Sequence, residues 1–141
     1  MSTLKQLLTL ISSNCSGNAW SDWIAEQAES LLQAFTENDW AELDMRLAEL
    51  PDAQLTLLAD ALCGIPPAQA NSRLLRIIGL EKRYAAIAAC NSLRTHLQSA
   101  PKKMAVDGSI IVRIRQIEAI SDEPWRSGCR ELLKYLEPSS S

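Results

Sequence analysis

The chain has 141 residues, of which 47% are apolar and 22% charged, and its formal net charge is −3. This composition is typical of one globular domain and excludes a disordered or collagen-like chain. A chain of this length can bury an ordinary hydrophobic core, so neither disulfides nor a structural metal is required. Because the chain has only 5 glycines and 6 prolines, turns are few and helices are favoured.

The N-terminal apolar stretch, residues 7–11, follows Lys5 and precedes Cys15. It is shorter than the roughly 7–15 residues of a secretory signal core. No apolar run approaches the roughly 18 residues that a membrane span needs. The sequence therefore predicts a cytoplasmic protein with no membrane partner.

Four cysteines lie far apart in the sequence, at Cys15, Cys63, Cys90 and Cys129. No two of them have the spacing of a zinc knuckle or of a redox Cys-x-x-Cys motif. Reduced cysteines pack like small hydrophobic side chains. We therefore expect four inert core thiols in a reducing compartment.

Hydrophobic periodicity predicts a helix over residues 20–35, where apolar side chains recur at spacings of three and four. The face so defined consists of Trp20, Trp23, Ile24, Ala28, Leu31, Leu32 and Phe35. Asp22, Glu26 and Glu29 fall on the opposite side of this helix. We therefore expect an acidic face directed away from the core.

Two further helices follow. Residues 40–50 carry apolar positions at spacings of three and four, after a possible N-cap at Thr36 or Asn38, and Pro51 ends the pattern. Asp52 can cap a third helix, which extends to Leu62 before the Gly-Ile-Pro-Pro break at residues 64–67.

The helix–turn–helix unit recurs over residues 67–97 and again over residues 110–136. The units end at Leu62, Leu97 and Leu136, which is close to the period of stacked helical hairpins. We predict an all-α fold in which antiparallel helical hairpins stack as a short HEAT-like, right-handed α-solenoid; the alternative is an irregular helical bundle. Residues 1–137 form one all-helical domain in this prediction, and residues 138–141 a disordered tail.

Residues 110–114 fit either a strand or a helix, because their β-branched side chains alternate while Ile110 and Ile114 also share a helix face. An isolated strand would leave its backbone groups unpaired, and no second strand is visible in the sequence. We therefore expect a helix. In the preceding helix, Tyr84, Ile87, Ala88 and Asn91 are assigned to the packed side.

Enzyme motifs are absent: the chain has no Gly-rich phosphate loop, no Gly-x-Ser-x-Gly, no His-Glu-x-x-His and no calcium loop. His96 is the single histidine, and we expect it to be exposed or to cap the last carbonyls of its helix. The sequence predicts no catalytic residue, no metal and no cofactor.

Carboxylates and tryptophans leave two questions open. Asp39, Glu42 and Glu49 could form a carboxylate pair for acid–base chemistry, but Arg46 lies four residues after Glu42 and predicts an ordinary ion pair on a solvated helix face. The tryptophans are expected in the core, whereas a Trp exposed beside carboxylates would indicate a binding surface. The four tryptophans are Trp20, Trp23, Trp40 and Trp125.

Charge is distributed unevenly along the chain. Residues 1–60 contain ten carboxylates and two cations, a balance of −8, while residues 61–141 contain twelve cations and seven carboxylates, a balance of +5. Like charges within each half repel each other. We therefore expect a compensating attraction, either between the two halves or between one half and a partner. An acidic surface attracts cationic proteins and accelerates their association.

Three segments carry a resemblance to a known family: DWAEL and LAELP within residues 39–51, LTLLADAL at residues 55–62, and AAIAAC at residues 85–90. Together they resemble the HEAT-like helical immunity proteins of bacterial contact-dependent inhibition and polymorphic toxin systems, over residues 36–97. The resemblance implies a small cytoplasmic protein that binds a cognate toxin, often a basic nuclease, and occludes its active site. It does not explain the basic second half.

The leading hypothesis is therefore a non-enzymatic inhibitor that docks onto a cationic toxin through an acidic helical surface. The residues predicted to bind the partner are Asp22, Glu26, Glu29, Asp39, Glu42 and Glu49. One alternative is a helical scaffold or secretion chaperone that binds an apolar segment. Another is nucleic-acid binding through the basic half, which is less favoured because its cations are spread over four helices with few aromatic residues. A cleft with two or more carboxylates would favour a small enzyme.

Overall fold

The computed structural model describes residues 2–13, 22–99 and 102–139, with Asp22 described by its backbone alone. This part of the chain is almost entirely helical, so the predicted all-α class is confirmed. The elements are α1 (Thr3–Ser13), α2 (Asp22–Gln33), α3 (Glu37–Arg46), a 3₁₀ turn (Leu47–Glu49), α4 (Asp52–Leu62), α5 (Pro67–Gly79), α6 (Arg83–Gln98), β1 (Met104–Val106), α7 (Gly108–Ile120), α8 (Trp125–Lys134) and β2 (Leu136–Pro138).

Helix α6 is the centre of the molecule and packs against α4, α5, α7 and α8. Its core side is rich in small residues, which allows neighbouring helices to approach closely. Helices α5 and α6 form one pair and α7 and α8 the next, with α5 against α7 and α6 against α8. Helices α4, α6 and α8 therefore follow one another in a single layer.

The first predicted hairpin differs from the prediction. Helix α3 packs against α1 instead of pairing extensively with α4, and α4 packs mainly against α6 and α2. The predicted solenoid is therefore not confirmed, although the last two helix pairs match the predicted units. Helix α1 fills the place beside α3 and α4 by burying Leu4, Leu7 and Ile11.

Helix α2 exposes a residue that was expected in the core. Trp23 is 67% exposed, whereas Ala28 and Leu32 are buried. At about 100° per residue, Trp23 lies about 180° around the helix from Leu32. Its assignment to the core was wrong because the apolar positions of α2 extend around more of the helix than one face. Trp20 lies outside the described residues.

The N-cap of α3 agrees with the prediction, whereas the N-cap of α4 does not. Thr36 caps α3 through a capping box with Asp39, as one of the two predicted N-caps. Asp52 does not cap α4, whose N-cap is Pro51. Its carboxylate instead accepts the backbone N–H groups of Tyr84 and Ala85, at 3.3 and 2.8 Å, and so caps α6.

Residues 110–114 are helical, as predicted. They lie in α7, which is capped by Asp107 through the Ser109 N–H at 2.9 Å and buries Ile114 and Ile117. A strand pair was not predicted, because three-residue strands are too short to show periodicity.

Strands β1 and β2 pair in parallel, with Met104 opposite Leu136 and Val106 opposite Pro138. The pair is extended by the Ser139 N–H, which donates to Val106 O at 2.7 Å. The predicted disordered tail is therefore wrong for residues 138 and 139, because this ladder holds their backbone. Residues 140 and 141 lie outside the described part.

Candidate functional site

The six carboxylates predicted to bind a partner do not form one cluster. Glu26, Glu42 and Glu49 are exposed on α2, α3 and the 3₁₀ turn. The side chain of Asp22 lies outside the described residues. Within the part of the chain that the structure covers, no ion pair joins Glu42 to Arg46, so the predicted helical pair is not formed.

The two remaining predicted residues have structural positions. Asp39 completes the capping box of α3, where its carboxylate accepts the backbone N–H of Thr36 at 3.0 Å. The Glu29 carboxyl lies against Gly64 in the turn after α4, so close that a Cβ at Gly64 would overlap it. Neither side chain is available to a partner without disturbing these contacts.

Other carboxylates of the first half are bound within the protein. Asp44 on α3 accepts both Nε and Nη2 of Arg73 on α5, at 2.9 and 3.0 Å, and Arg76 lies 3.4 Å away. Bidentate contact between Arg and a carboxylate is the strongest geometry for such a pair. This pairing supplies a direct attraction between the halves, which is one of the two kinds of attraction expected from the charge distribution.

The cations of the second half are used mainly to bind backbone carbonyls near helix ends. Carbonyls at the end of a helix lack partners in their own helix, and long cationic side chains can reach them. The donors and acceptors are Lys82 to Ala48 and Leu50, Arg83 to Ile120, Arg113 to Ile78 and Leu80, Arg126 to Ser121, and Arg76 to Asp44 O. Much of the positive charge thus stabilises helix ends and is not gathered on one surface.

A groove of about 610 Å³ lies on the α4–α6–α8 layer and is the best-formed candidate site. We call it the α4–α6 groove. Its walls combine exposed aromatic rings with carboxylates, a combination typical of recognition surfaces. The lining residues are Thr56, Asp60, Arg83, Tyr84, Ile87, Ala88, Asn91, Ser121, Asp122, Glu123 and Trp125.

The two aromatic rings of the groove are Tyr84, which is 63% exposed, and Trp125, which is 45% exposed. Arg83 lies 5.7 Å from the centre of the Tyr84 ring and donates to Ile120 O at 3.1 Å, which fixes one end of the groove. Trp125 was expected in the core, and this was wrong. It is instead the exposed Trp beside carboxylates that would indicate a binding surface.

The carboxylates of the groove differ in their surroundings. Asp60 is exposed as a residue, but neighbouring groups partly desolvate its carboxyl and raise its pKa, and this carboxylate has no hydrogen-bond or ion-pair partner among the described residues. Glu123 accepts the side-chain O–H and the backbone N–H of Ser127, and the side-chain bond chiefly lowers its pKa. Asp60 and Asp122 therefore both lack a hydrogen-bond or ion-pair partner for their carboxylates among the described residues.

The groove was missed because of how α6 reads as a sequence. Tyr84, Ile87 and Asn91 follow helical spacing and were assigned to the packed side, but they line the groove, whereas Ala88 borders the groove and is buried as expected. The buried side is formed by the adjacent small residues Ala85, Ala86 and Ala89. When a helix is apolar on two sides, its sequence predicts burial of both sides. The packing of α4 and α8 decides which side of α6 stays exposed.

A second groove, of about 590 Å³, lies between α1 and α2 and contains Trp23 and Glu26. It holds a single carboxylate, and Trp23 follows closely after residues 14–21, which lie outside the described part. The α4–α6 groove, with three carboxylates and two rings, is therefore the stronger candidate.

Two remaining expectations concern Trp40 and His96. Trp40 is half-buried, packs edge-on against Phe35 at 4.9 Å and lies under the Arg73 guanidinium at 4.2 Å, which agrees with a core role. His96 Nε2 lies 3.0 Å from Leu62 O, the last residue of α4. It therefore contacts a terminal carbonyl as predicted, but that carbonyl belongs to a different helix.

None of the helices in the described ranges combines the length and the apolar character that crossing a bilayer demands. Within those same ranges, no three His, Cys, Asp or Glu side chains are grouped so that they could hold a metal ion.

Comparison of the chain with protein-family models, with curated proteins and with solved structures finds no match in any of the three. The resemblance to immunity proteins therefore depends on the sequence pattern alone.

Proposed function

We propose that this protein is a non-enzymatic binding protein that captures a cationic protein partner in the α4–α6 groove. We further propose, from the resemblance of residues 36–97, that the partner is a toxin domain and that capture inhibits it. The observation that carries the binding proposal is the Asp60 carboxylate, which has no partner in the groove that also exposes Tyr84 and Trp125.

A cationic side chain fits this groove on two physical grounds. A desolvated carboxylate without a partner gains more from an arriving Lys or Arg than a solvated one does. Exposed Trp and Tyr rings attract the same cation through their negative faces. Because Asp60 lies on α4 and the adjacent Asp122 and Glu123 lie between α7 and α8, a segment with more than one cation matches them better than one isolated charge.

The exposed carboxylates of the first half have a different role in this proposal. Glu26, Glu42 and Glu49 lie outside the α4–α6 groove, so they act at long range by steering the cationic partner toward the protein. Steering changes the rate of association and its salt dependence, whereas contact in the groove changes the rate of dissociation. The two sets can therefore be distinguished by kinetics.

The test begins with capture of a partner from the source organism and its identification, followed by surface-based kinetics with the purified pair. We expect a basic partner. Asp60→Asn and Trp125→Ala should each accelerate dissociation by about tenfold or more. Glu42→Lys with Glu49→Lys should slow association and reduce its salt dependence while leaving dissociation unchanged.

Several outcomes would contradict the proposal. A partner whose binding is insensitive to salt and to Asp60→Asn would favour a scaffold or chaperone that holds an apolar segment. A nucleic acid captured in place of a protein would favour the basic half. Inhibition is tested separately by co-expressing partner and protein: if the partner is not toxic, the toxin role is wrong even where cationic binding holds.

Binding should also depend on pH with a defined sign. Asp60 must be ionised to attract a cation, and desolvation raises its pKa above the ordinary value of 3.8. Affinity is therefore complete well above this raised pKa and falls as the pH drops through it. Asp60→Asn should flatten this part of the pH profile.

A second candidate is a small acid–base enzyme, because the groove contains carboxylates whose pKa values are shifted in opposite directions, Asp60 upward and Glu123 downward. Such a pair can serve as general acid and general base, and exposed aromatic rings can stack on a sugar ring. Turnover of aryl glycosides with a bell-shaped pH profile, lost in both Asp60→Asn and Glu123→Gln, would support it. A lack of turnover across such a panel would leave the binding proposal.

A further inference from the structure

The packing of α6 against α8 brings together two cysteines that are far apart in the sequence. Cys90 and Cys129 are 3% and 2% exposed, and each thiol is the largest single influence on the pKa of the other. Cys63, the third described cysteine, lies at the C-cap of α4, away from this pair, and is half-buried. Only the pair on α6 and α8 therefore has the proximity that thiol chemistry needs.

A small cavity of about 70 Å³ is lined by both cysteines and is partly open to solvent. Its remaining walls include Asn91, Arg94 and Trp125. A volume of this size admits a few water molecules or a molecule of similar size, but not a tripeptide thiol. The cavity thus gives small reagents a route to thiols that are otherwise covered.

Arg94 supplies an unusual group at this cavity. Its Nη2 donates to Asn91 Oδ1 at 2.6 Å and its Nη1 lies 3.7 Å from Glu131, but its Nε is buried and has no partner among the described residues. A guanidinium N–H without an acceptor favours an anion beside it. A thiolate, or an oxygen that gains charge during a reaction, would satisfy it.

We propose that Cys90 and Cys129 form a peroxide-reactive thiol pair that converts to a disulfide joining α6 to α8. The Cys129 thiolate attacks one oxygen of the peroxide, gains that oxygen as a sulfenic acid and releases hydroxide. The Cys90 sulfur then attacks the Cys129 sulfur, the S–S bond forms and the sulfenic oxygen leaves as water. In total, two thiols and one hydrogen peroxide give one disulfide and two waters.

The assignment of the two roles follows from the interaction of the two thiols with each other. This interaction lowers the pKa of the Cys129 thiol and, together with burial, raises that of Cys90, so Cys129 carries more of the thiolate that acts as nucleophile. Cys90 then serves as the resolving thiol. This inference does not depend on the proposed capture of a cationic partner.

The test is peptide mapping of the full-length protein after exposure to hydrogen peroxide, blocking of free thiols and digestion with trypsin without reduction. Cys90 lies in the tryptic peptide of residues 84–94 and Cys129 in that of residues 127–130. We expect these two peptides to appear linked, and the link to disappear after dithiothreitol. Cys63 is the internal control and should remain alkylated at the dose that links the pair.

Two variants assign the order of events. In Cys90→Ala, Cys129 should accumulate as a sulfenic acid that dimedone traps; in Cys129→Ala, Cys90 should react about tenfold more slowly with peroxide. Each variant's fold is checked by its thermal unfolding. The proposal is overturned if the wild-type peptides stay unlinked while Cys63 is oxidised, or if the link forms at the same rate in urea as in the folded protein.

Discussion

Residues 1–60 and residues 61–141 carry opposite net charges, and their charged side chains are used in different ways. In the second half, Lys82, Arg83 and Arg113 donate to carbonyls near helix ends and are largely occupied by the fold. In the first half, Glu26, Glu42 and Glu49 remain exposed. The net charge of a region therefore does not show which of its charged side chains are free to bind a partner. Long cationic side chains can bind backbone carbonyls, whereas the shorter carboxylates can bind only N–H groups and cations.

The difference has a geometric origin. A carboxylate has a short side chain and binds the N–H groups of a helix start only where that start lies close by, in its own helix for Asp39 and in the adjacent packed helix for Asp52. A Lys or Arg side chain can span from one helix to the end of another. The halves are consequently joined by few direct ion pairs, of which Asp44 with Arg73 and Arg76 is the main one.

The largest expected effect is the loss of the Asp52 cap. Asp52→Ala removes the acceptor for two N–H groups of α6, and we expect the free energy of unfolding to fall by about 1–2 kcal/mol in urea titrations. Asp52→Asn should retain most of the stability because its amide oxygen can still accept. Glu49→Ala, an exposed neighbour, is the matched control; if it destabilises as much as Asp52→Ala, the cap is not the cause.

Next in size is the pair between the halves. Asp44→Ala and Arg73→Met should each lower the free energy of unfolding by about 1 kcal/mol. A double-mutant cycle should give a coupling energy of about 0.5–1 kcal/mol that decreases only partly in high salt, since the Arg73 side chain is 14% exposed. A coupling of zero would show that Arg73 acts through its contact with Trp40 alone.

The cations of the second half offer a third comparison. Lys82 Nζ donates to Ala48 O at 2.8 Å and to Leu50 O at 2.5 Å, so Lys82→Met should cost about 1 kcal/mol. Arg115 is exposed, and Arg115→Met should change stability by less than about 0.5 kcal/mol. Equal effects of the two substitutions, measured by thermal unfolding, would contradict the idea that carbonyl binding occupies the basic half.

The smallest effect concerns Asp60 and has a sign set by its raised pKa. Folding disfavours the charged form, so the stability associated with protonated Asp60 is present below its ordinary pKa and is lost as the pH rises through the raised value. Asp60→Asn should therefore match the wild type near about pH 3 and unfold at a slightly higher temperature at about pH 7. A site selected for binding is expected to show this gain in stability together with weaker capture of the partner.

The sequence predicted most of the helices because these have strong local signals, but α1 (Thr3–Ser13) was not predicted as a helix. The Thr36 cap, the Pro67 start of α5 and the helix over residues 110–114 all follow from neighbours a few residues away. The candidate groove could not be predicted in this way. It depends on which side of α6 the helices α4 and α8 cover, and that choice is made by residues far along the chain.

The same limit explains the individual errors. Asp52 lies at the start of α4, where a cap is expected, but its carboxylate turns to α6 because the two helices pack side by side. Trp125 follows a proline at a helix start and is large and apolar, yet 45% of it is exposed beside Glu123. Tertiary proximity, which no local pattern encodes, decides both positions.

The parallel strands β1 and β2 enclose α7 and α8 between two segments that are paired by hydrogen bonds. During synthesis on the ribosome, this pairing has to wait until residues 136–139 have been added and released, whereas α4, α5 and α6 can already assemble. Chains that stop before residue 136 should consequently accumulate with a folded N-terminal part and with α7 and α8 not held by the strand pair. Proteases should remove these two helices first.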